Sequence, residues 1–495
     1  MSKIIIQNGN MCELDLPLKF AQKLYNEFAI RHPNAFYLRT RQRGMQNWDG
    51  KIHYITKTGQ FKIGLLPKVY DMCIEMGIKP KVVDMRQPLP KVSKVVTKIG
   101  KYKLRPEQEK AVKAVINNTI GGKPFHIGVL DYTVNAGKTL IMSSLYLSYK
   151  KQLKTLLITN DSDWLNQARE EFKQYLPGED ITFVQGKVLN WSNFTIGMVQ
   201  SISRNMRFYQ KELSQIDMVL IDEADQGGSR QYQNVITRLF NTRIRIGLSG
   251  TIYMSKLAKD KVKNMNLECF FGKVLAEFKL RDSIKKGYST KTVVKMVPGK
   301  PWYGNWESDC ISYKEIYDDS ITNSYTAWLM AYSRLRWNIN QGRYPALVVC
   351  KHIAHCENLY KFFKKKLGDA YNIAHVHVNT KSKLRQQIMK DFRDGKIDIL
   401  VSTTIIARGK NFPKLRYLLN AASMLSNEKT IQFLGRLVRT DKSKKKVYLD
   451  DLHYPGNYLD RHGKHRKQYY QRQELKVILL DKLWKKHPNH SLIQS

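Results

Sequence analysis

DYTVNAGKT, residues 131–139, and MVLIDEAD, residues 218–225, decide how the rest of this chain reads. The first lies where an apolar run, HIGVL, gives way to a loop and then to the helix-forming stretch LIMSSLYLSY. Phosphate loops belong at such a junction, because backbone N–H groups and the positive end of the helix dipole converge there. Gly137 lets the backbone approach a phosphate, Lys138 supplies a point charge for the β- and γ-phosphates, and Thr139 offers a hydroxyl to Mg²⁺. The loop departs from the usual pattern in two places. Tyr132 stands where the first glycine is expected, and Asn135, next to Ala136, stands two residues before Gly137; asparagine tolerates the left-handed conformation better than most residues. In the second motif, four apolar residues deliver Asp222, Glu223, Ala224 and Asp225 to the carboxyl edge of a sheet, where open α/β folds bind ligands. Asp222 is placed to hold Mg²⁺ through water, and Glu223 to orient and deprotonate an attacking water. A merely solvated acidic cluster would not follow directly on a buried strand.

Further apolar runs, KTLLIT, TIGMV and IRIGLSGT, extend a strand, loop and helix pattern over 99–285. A second series, ALVVCK, AHVHVN, DILVST, LRYLLNA and KKVYLD, occupies 341–448. Such alternation argues for parallel sheets covered on both faces, so the expected fold is α/β with two lobes in tandem. Residues 1–98 read as a small α+β domain, 286–340 as an interlobe linker or insert, and 449–495 as a basic helical tail. Within the N-terminal domain the pattern predicts a helix over LKFAQKLYNEFAI, short basic and aromatic strands around FYLRTRQR, KIHYIT and FKIGLL, and a second helix near PKVYDMCIEMG. Gly59 suits a hairpin turn between KIHYIT and FKIGLL.

A chain of 495 residues exceeds what one core usually holds, and 42% hydrophobic with 25% charged residues is the balance of a folded chain. The 84 Lys and Arg against 42 Asp and Glu leave a charge of +42, which concentrates polyanions and makes nucleic acid the first candidate partner. The basic residues are spread along the chain without an amphipathic anchor, so no membrane partner is expected. Six cysteines without a CxxC pair fit a reducing compartment, and no signal-like apolar stretch begins the chain, which together predict a cytoplasmic protein. In CKHIAHC, 350–356, Cys350 closes an apolar run and reads as core packing, since a zinc site needs four ligands.

Other segments carry weaker signals. Ser249, Gly250 and Thr251 end an apolar strand and can hydrogen-bond toward the acidic motif. Arg105 and Gln108 precede the first lobe, where Gln108 is placed to read an adenine edge; a solvated helix start explains them nearly as well. In QFLGRLVR, Gln432 and Gly435 accompany Arg436 and Arg439, two arginines on one helical face. Arginines so placed can reach a γ-phosphate as fingers, although a surface salt-bridge face is an equal alternative on pattern alone. Thr403, Thr404, Arg408, Gly409 and Asn411 follow the strand DILVS, suited to touching a nucleic-acid backbone and to sensing the nucleotide. Tyr37, Arg39, Arg41, Arg43, Trp48 and Lys51 make a basic aromatic face that suits clasping duplex DNA, with solvation of a sheet as the alternative. The aromatic stretch 301–317 reads as interdomain packing more than as a base-stacking surface.

The ordered set RPEQ, GKT, LLITNDSDWLNQ, TIGMVQS, DEAD, SGT, TTIIARGKNFP and QFLGRLVR resembles the superfamily 2 helicases over roughly 100–450. That resemblance implies two RecA-like lobes, ATP and Mg²⁺ as cofactors, DNA-dependent ATP hydrolysis, and strand-backbone contacts at Gln167, Gln200, Ser201 and Thr403. The phenylalanine-led adenine motif and the PTPGR element of DEAD-type RNA helicases are missing, and SGT replaces SAT, which favours DNA. WDGKI (48–52) with GLL (64–66) resembles the leading domain of phage UvsW-type branch-migration helicases, whose action is RecG-like. The tail YPGNYLDRHGKHRKQYYQR resembles the same group, and its His, Arg and Lys would bind phosphates. The implied partners are forks and four-way (Holliday) junctions and recombination or replication proteins, and the chain is expected to act as a monomer. The alternatives are an RNA helicase of DEAD type, a restriction-type motor, for which no nuclease constellation appears, and a nucleotide-binding DNA-binding module without turnover.

Overall fold

Runs that are apolar at every position become strands covered on both faces, because a parallel sheet buries both sides. All ten runs of the two expected series are strands. The computed structural model describes residues 2–41, 45, 47–92, 94–149, 152–186, 188–252, 258–299, 312–407, 412–424, 433–435, 437–441, 444–454 and 457–480. Two compact units divide the chain, Met1–Phe278 and Lys279–Ser495.

In the first unit, an eight-stranded sheet has the spatial order Val188–Leu189, Ile181–Gln185, Phe194–Met198, Thr155–Thr159, Met218–Asp222, Ile244–Ser249, His126–Tyr132, Val274–Phe278. Every pairing is parallel except that of the edge strand Val188–Leu189. The N-terminal residues do not build a core of their own. Ile4, Phe61 and Leu65 belong to the same buried cluster as Ile127, Val129 and Phe271. Arg245, fully buried, ties the parts together by donating to Gly9 O, Asn10 Oδ1 and Phe270 O. Burial lowers its pKa to about 9.

Two N-terminal expectations need correcting. FYLRTR forms the α-helix Ala35–Arg41, since without a sheet neighbour the local i to i+4 bonding wins over strand propensity. Gly59, at φ +82°, does make a turn, closed by Gly59 N–H to Thr56 O and by Thr56 N–H to Gln60 O. The flanking segments then part: Lys51–His53 pairs with Ala29–Arg31, whereas Gln60–Lys62 pairs with Met11–Asp15. Only the bridge Ile55 to Phe61 remains of the expected hairpin.

The second unit holds a seven-stranded, wholly parallel sheet in the order Ile373–Val376, Ile399–Thr403, Ala346–Cys350, Tyr417–Asn420, Lys446–His453, Lys291–Pro298, Lys476–Leu479. Segments expected to be linker and tail are integral to it. Lys291–Pro298 and Lys476–Leu479 supply two strands, and the helices Tyr325–Asn340 and Asn457–Arg472 are pinned to the sheet by ion pairs. Successive strand residues face opposite sides. Asp450 meets Arg334 Nε at 2.8 Å, while Asp451, next in the chain, takes a bidentate contact from the fully buried Arg466 at 2.7–3.0 Å. The expectation that the tail's basic residues bind phosphates therefore fails for Arg466. It fails equally for His462, whose Nδ1 lies 3.3 Å from Ser423 O and whose pKa burial lowers to about 4. Tyr317 is core within this unit, and residues 301–311 of the aromatic stretch lie outside the described residues.

CKHIAHC packs as expected: Cys350 and Cys356 are buried, and His355 contacts the Tyr317 hydroxyl at 3.0 Å, its pKa lowered to about 3 by burial. Among the described residues no group of three or more His, Cys, Asp or Glu is arranged to hold a metal, and no helix is long and apolar enough to cross a membrane.

Candidate nucleotide and nucleic-acid site

Three adjacent strands of the first sheet end side by side: Met218–Asp222, Ile244–Ser249 and His126–Tyr132. Asp131 registers with Ser249, and Asp222 with Leu248, so both motifs and the SGT segment share one carboxyl edge although nearly 90 residues separate them.

The loop after His126–Tyr132 turns through two left-handed residues, Asn135 at φ +62° and Gly137 at φ +73°, before the helix Lys138–Ser148 begins. A Cβ on Gly137 would stand 2.3 Å from Gln108 Nε2 and would add left-handed strain. Arg105 donates to Asn135 O and Ala136 O, and Gln108 Nε2 to Ala136 O at 2.9 Å. The amide oxygen of Gln108 accepts from Arg105 N–H at 2.9 Å. RPEQ thus grips the loop from behind, with both ends of the buried Gln108 amide engaged. Tyr132, in the first-glycine position, is fully buried and donates to Glu107 O at 2.7 Å, fastening the same helix start. Gly137→Ala is expected to displace Gln108, weaken nucleotide binding by at least tenfold and leave the fold intact. Titration with a fluorescent ATP analogue checks it, and unchanged affinity would remove the tight loop from the binding site.

Lys138 Nζ lies 3.6 Å from Asp222 Oδ1. Burial works against its charge, but Asp222, Glu223 and Asp225 outweigh burial and raise its pKa, keeping an ammonium there. Burial raises the pKa of Asp222, opposed by Lys138. Glu223 sits at φ +53°, a strained position for a residue with a side chain and one that recurs at functional sites. Ser249 Oγ donates to Asp225 Oδ1 at 2.7 Å and lies 2.9 Å from the Thr251 hydroxyl, linking SGT to the acidic turn. Among the described residues, Asp222 Oδ1, Asp225 Oδ2 and both amide atoms of Asn135 are buried without a hydrogen-bond partner. An edge with one ammonium, three carboxylates, a Thr139 hydroxyl and unsatisfied acceptors fits a hydrated divalent cation with a polyphosphate.

The remaining expected residues are placed as follows. Gln167 Nε2 donates to Glu171 Oε1 at 2.5 Å, on helix Ser162–Tyr175. Gln200 Nε2 donates to Asn160 O at 3.3 Å, while the Ser201 hydroxyl is mostly buried and accepts from Gly186 N–H at 2.9 Å. Arg39 and Arg41 are exposed on the N-terminal helix, with Arg41 4.4 Å above the Tyr37 ring. Trp48 Nε1 donates to Lys51 O at 2.8 Å. Thr403 ends its strand and Thr404 opens the turn Thr404–Ala407. Arg439 accepts the Thr290 hydroxyl at its carbonyl, 3.1 Å away. Arg43, Arg408, Gly409, Asn411, Gln432 and Arg436 lie outside the described residues.

Sequence reasoning missed Tyr232, Asn160 and Gln226. Tyr232 is buried, and burial plus the charges of Asp222, Glu223 and Asp225 hold its hydroxyl neutral. Asn160 Nδ2 donates to Gln226 Oε1 at 2.6 Å, joining the end of strand Thr155–Thr159 to the acidic turn. Tyr232 and Gln226 fall outside the quoted motifs, and LLITNDSDWLNQ contains Asn160 without singling it out, because its bond to Gln226 joins residues far apart in the chain.

Comparison with known proteins agrees with this arrangement. Residues 101–254 match the family model described as type III restriction enzyme, res subunit, and 331–441 match the helicase conserved C-terminal domain. The ATP-dependent DNA helicase UvsW of Enterobacteria phage T4 is 21% identical over 88% of this chain and 90% of its own. A helicase-like protein of Sulfolobus islandicus filamentous virus is 23% identical over 71% of the chain, which spans only 64% of that relative's length. Among solved structures, the ATP-dependent type ISP restriction-modification enzyme LlaBIII bound to DNA shares the fold at TM-score 0.56 and 12% identity, over 85% of this chain and 35% of that one. The two sheets of this chain are thus tandem RecA-like lobes, and the chain carries the helicase domains matched over 101–254 and 331–441, with similarity to an ATP-dependent DNA helicase of superfamily 2 type.

Proposed function

We propose that this protein is an ATP-dependent DNA helicase that unwinds and branch-migrates forked and four-way junctions in recombination, repair and replication. The observation that supports it best is the carboxyl edge where Lys138, Asp222 and Glu223 converge with SGT, in a chain of charge +42 similar over most of its length to phage T4 UvsW. ATP with Mg²⁺ supplies the phosphoryl group whose transfer to water drives movement. Lys138 would hold the β- and γ-phosphates, with Thr139 and Asp222 on the metal side and Asn135, Ala136 and Gly137 lending the loop. Glu223 would take the proton from the attacking water. Arg436 and Arg439, with Gln432, Gly409 and Asn411, are assigned to transition-state charge and nucleotide sensing by the family resemblance alone. Residues 1–98, through Arg39, Arg41, Arg43, Trp48 and Lys51, would clasp the duplex, and Gln167, Gln200, Ser201, Thr403 and Thr404 would follow the strand.

Two findings bear on the alternatives. The curated relatives include proteins named as RNA helicases, and the lobes resemble an RNA-bound helicase as well as a DNA-bound restriction motor. A panel of linear DNA, forked DNA, four-way DNA and RNA in a steady-state ATPase and unwinding assay separates these readings. Branched DNA is expected to stimulate most. RNA stimulating better than DNA would transfer the reading to the RNA helicases, and no stimulation by any of them would leave a binding module without turnover.

A further inference from the structure

Beyond the carboxyl edges, the described surface of the second unit carries a cluster of cations around one tryptophan. Trp337, on the last turns of helix Tyr325–Asn340, remains 41% exposed. Lys295 Nζ lies over its ring at 4.3 Å, the Arg343 guanidinium at 4.7 Å and that of Arg334 at 5.1 Å. Arg343 also stacks 3.6 Å from the centre of the Tyr448 ring. The sheet explains why they meet. Lys295 registers with Asp450, two residues after Tyr448, so all three share the face under that helix, near the edge where its cover ends.

The charges do not balance. Among the described residues Asp450 is the carboxylate in contact, and it is fully buried and already engaged by Arg334 at 2.7 Å, Asn338 at 3.1 Å and Tyr417 at 3.1 Å. Burial lowers the pKa of Lys295, and Arg334 and Arg343 add to that against Asp450. Like charges held this close gain from a multivalent anion.

Arg343 is also distant from the edge expected to follow the translocated strand. Arg343 precedes strand Ala346–Cys350, whose first residue registers with Ile399 and whose last registers with Thr403. Five strand residues span roughly 15 Å, so Arg343 and Thr403 mark opposite edges of the sheet, while Lys295 stands level with Val348 in mid-strand and reaches the Trp337 ring through its side chain. Three cations gathered at the indole ring favour contact with phosphates over base stacking.

We propose that Lys295, Arg343 and Trp337 form a second nucleic-acid site that takes the phosphate backbone of a duplex arm while the carboxyl edge handles the strand. This rests on the DNA reading above and adds a reason for branched substrates: a fork presents both elements at once.

The test measures equilibrium binding without ATP, so it is read separately from the ATPase panel. Probes are a forked DNA, its single strand alone and poly-glutamate. The double variant Lys295→Ala/Arg343→Ala is expected to bind the fork about tenfold more weakly, with a salt slope shallower by about 2, one unit per lost phosphate contact. Single-strand affinity should not change. Lys295→Arg alone should bind as the unaltered protein does. Should the double variant misfold, Arg343→Gln alone, which can keep its hydrogen bond to Asn338, is expected to lower the slope by about 1. Unchanged fork affinity, an equal loss on the single strand, or a loss confined to poly-glutamate would overturn the proposal, the last pointing to an acidic protein partner instead.

Discussion

Lys138→Ala is expected to lower the ATP turnover number by about 10²–10³-fold, because phosphoryl transfer relies on fixed charge more than on covalent help from the protein. The ammonium is held by Asp222 at 3.6 Å and kept protonated by three carboxylates, so its charge is in place before a nucleotide arrives. Arginine would not restore it fully, since a planar fork does not replace a compact point charge in a tight loop. Glu223→Gln should produce a loss of similar size by removing the proton acceptor while preserving shape and nucleotide affinity. Both variants should still bind DNA. Steady-state hydrolysis with and without branched DNA, alongside gel-shift affinity, checks these expectations. Near-normal turnover in either variant would take that residue out of the reaction.

Arg466→Met should be the most destabilising single change outside the nucleotide site. Its guanidinium is wholly buried, contacts both oxygens of Asp451, and donates to Met424 O and Leu452 O as well. Removing it strands a buried carboxylate with only the Tyr470 hydroxyl and the Asn420 amide, at a cost of about 3–5 kcal/mol. A thermal transition of the second unit lowered by roughly 10 °C is expected. The double variant Arg466→Met/Asp451→Leu should recover part of that loss, since apolar replacement of a whole buried pair is often neutral. Differential scanning calorimetry decides: an unshifted transition in the single variant would show that the pair is not what fastens helix Asn457–Arg472.

The two buried pairs show where local reading fails. Basic, polar stretches such as RHGKHRKQYYQR look like solvated surface, and nothing within them announces that Arg466 will meet Asp451 fifteen residues earlier. Periodicity reports which positions are apolar; it does not report which charge will find a buried partner. The strands Lys291–Pro298 and Lys476–Leu479 were hidden for a related reason. One is interrupted by Lys295, whose charge leaves the sheet at the margin of a helix, and the other is a four-residue edge strand with exposed ends. FYLRTR shows the reverse error, a stretch with strand-forming side chains that becomes a helix because no neighbouring strand comes to pair with it.

What the sequence by itself determined was the class of machine: runs apolar at every position specify sheets covered on both faces, DEAD lies directly after one such run, and GKT lies one short loop after another. Those features are local, so spacing along the chain carries them. Only the tertiary structure decided that Asp222, Ser249 and the phosphate loop end on neighbouring strands, that RPEQ grips the loop, that linker and tail complete the second sheet, and that Lys295, Trp337 and Arg343 gather on one face. Each of these depends on strand order and register, and hydrogen-bond partners fixed by register cannot be read from a chain laid out in one dimension.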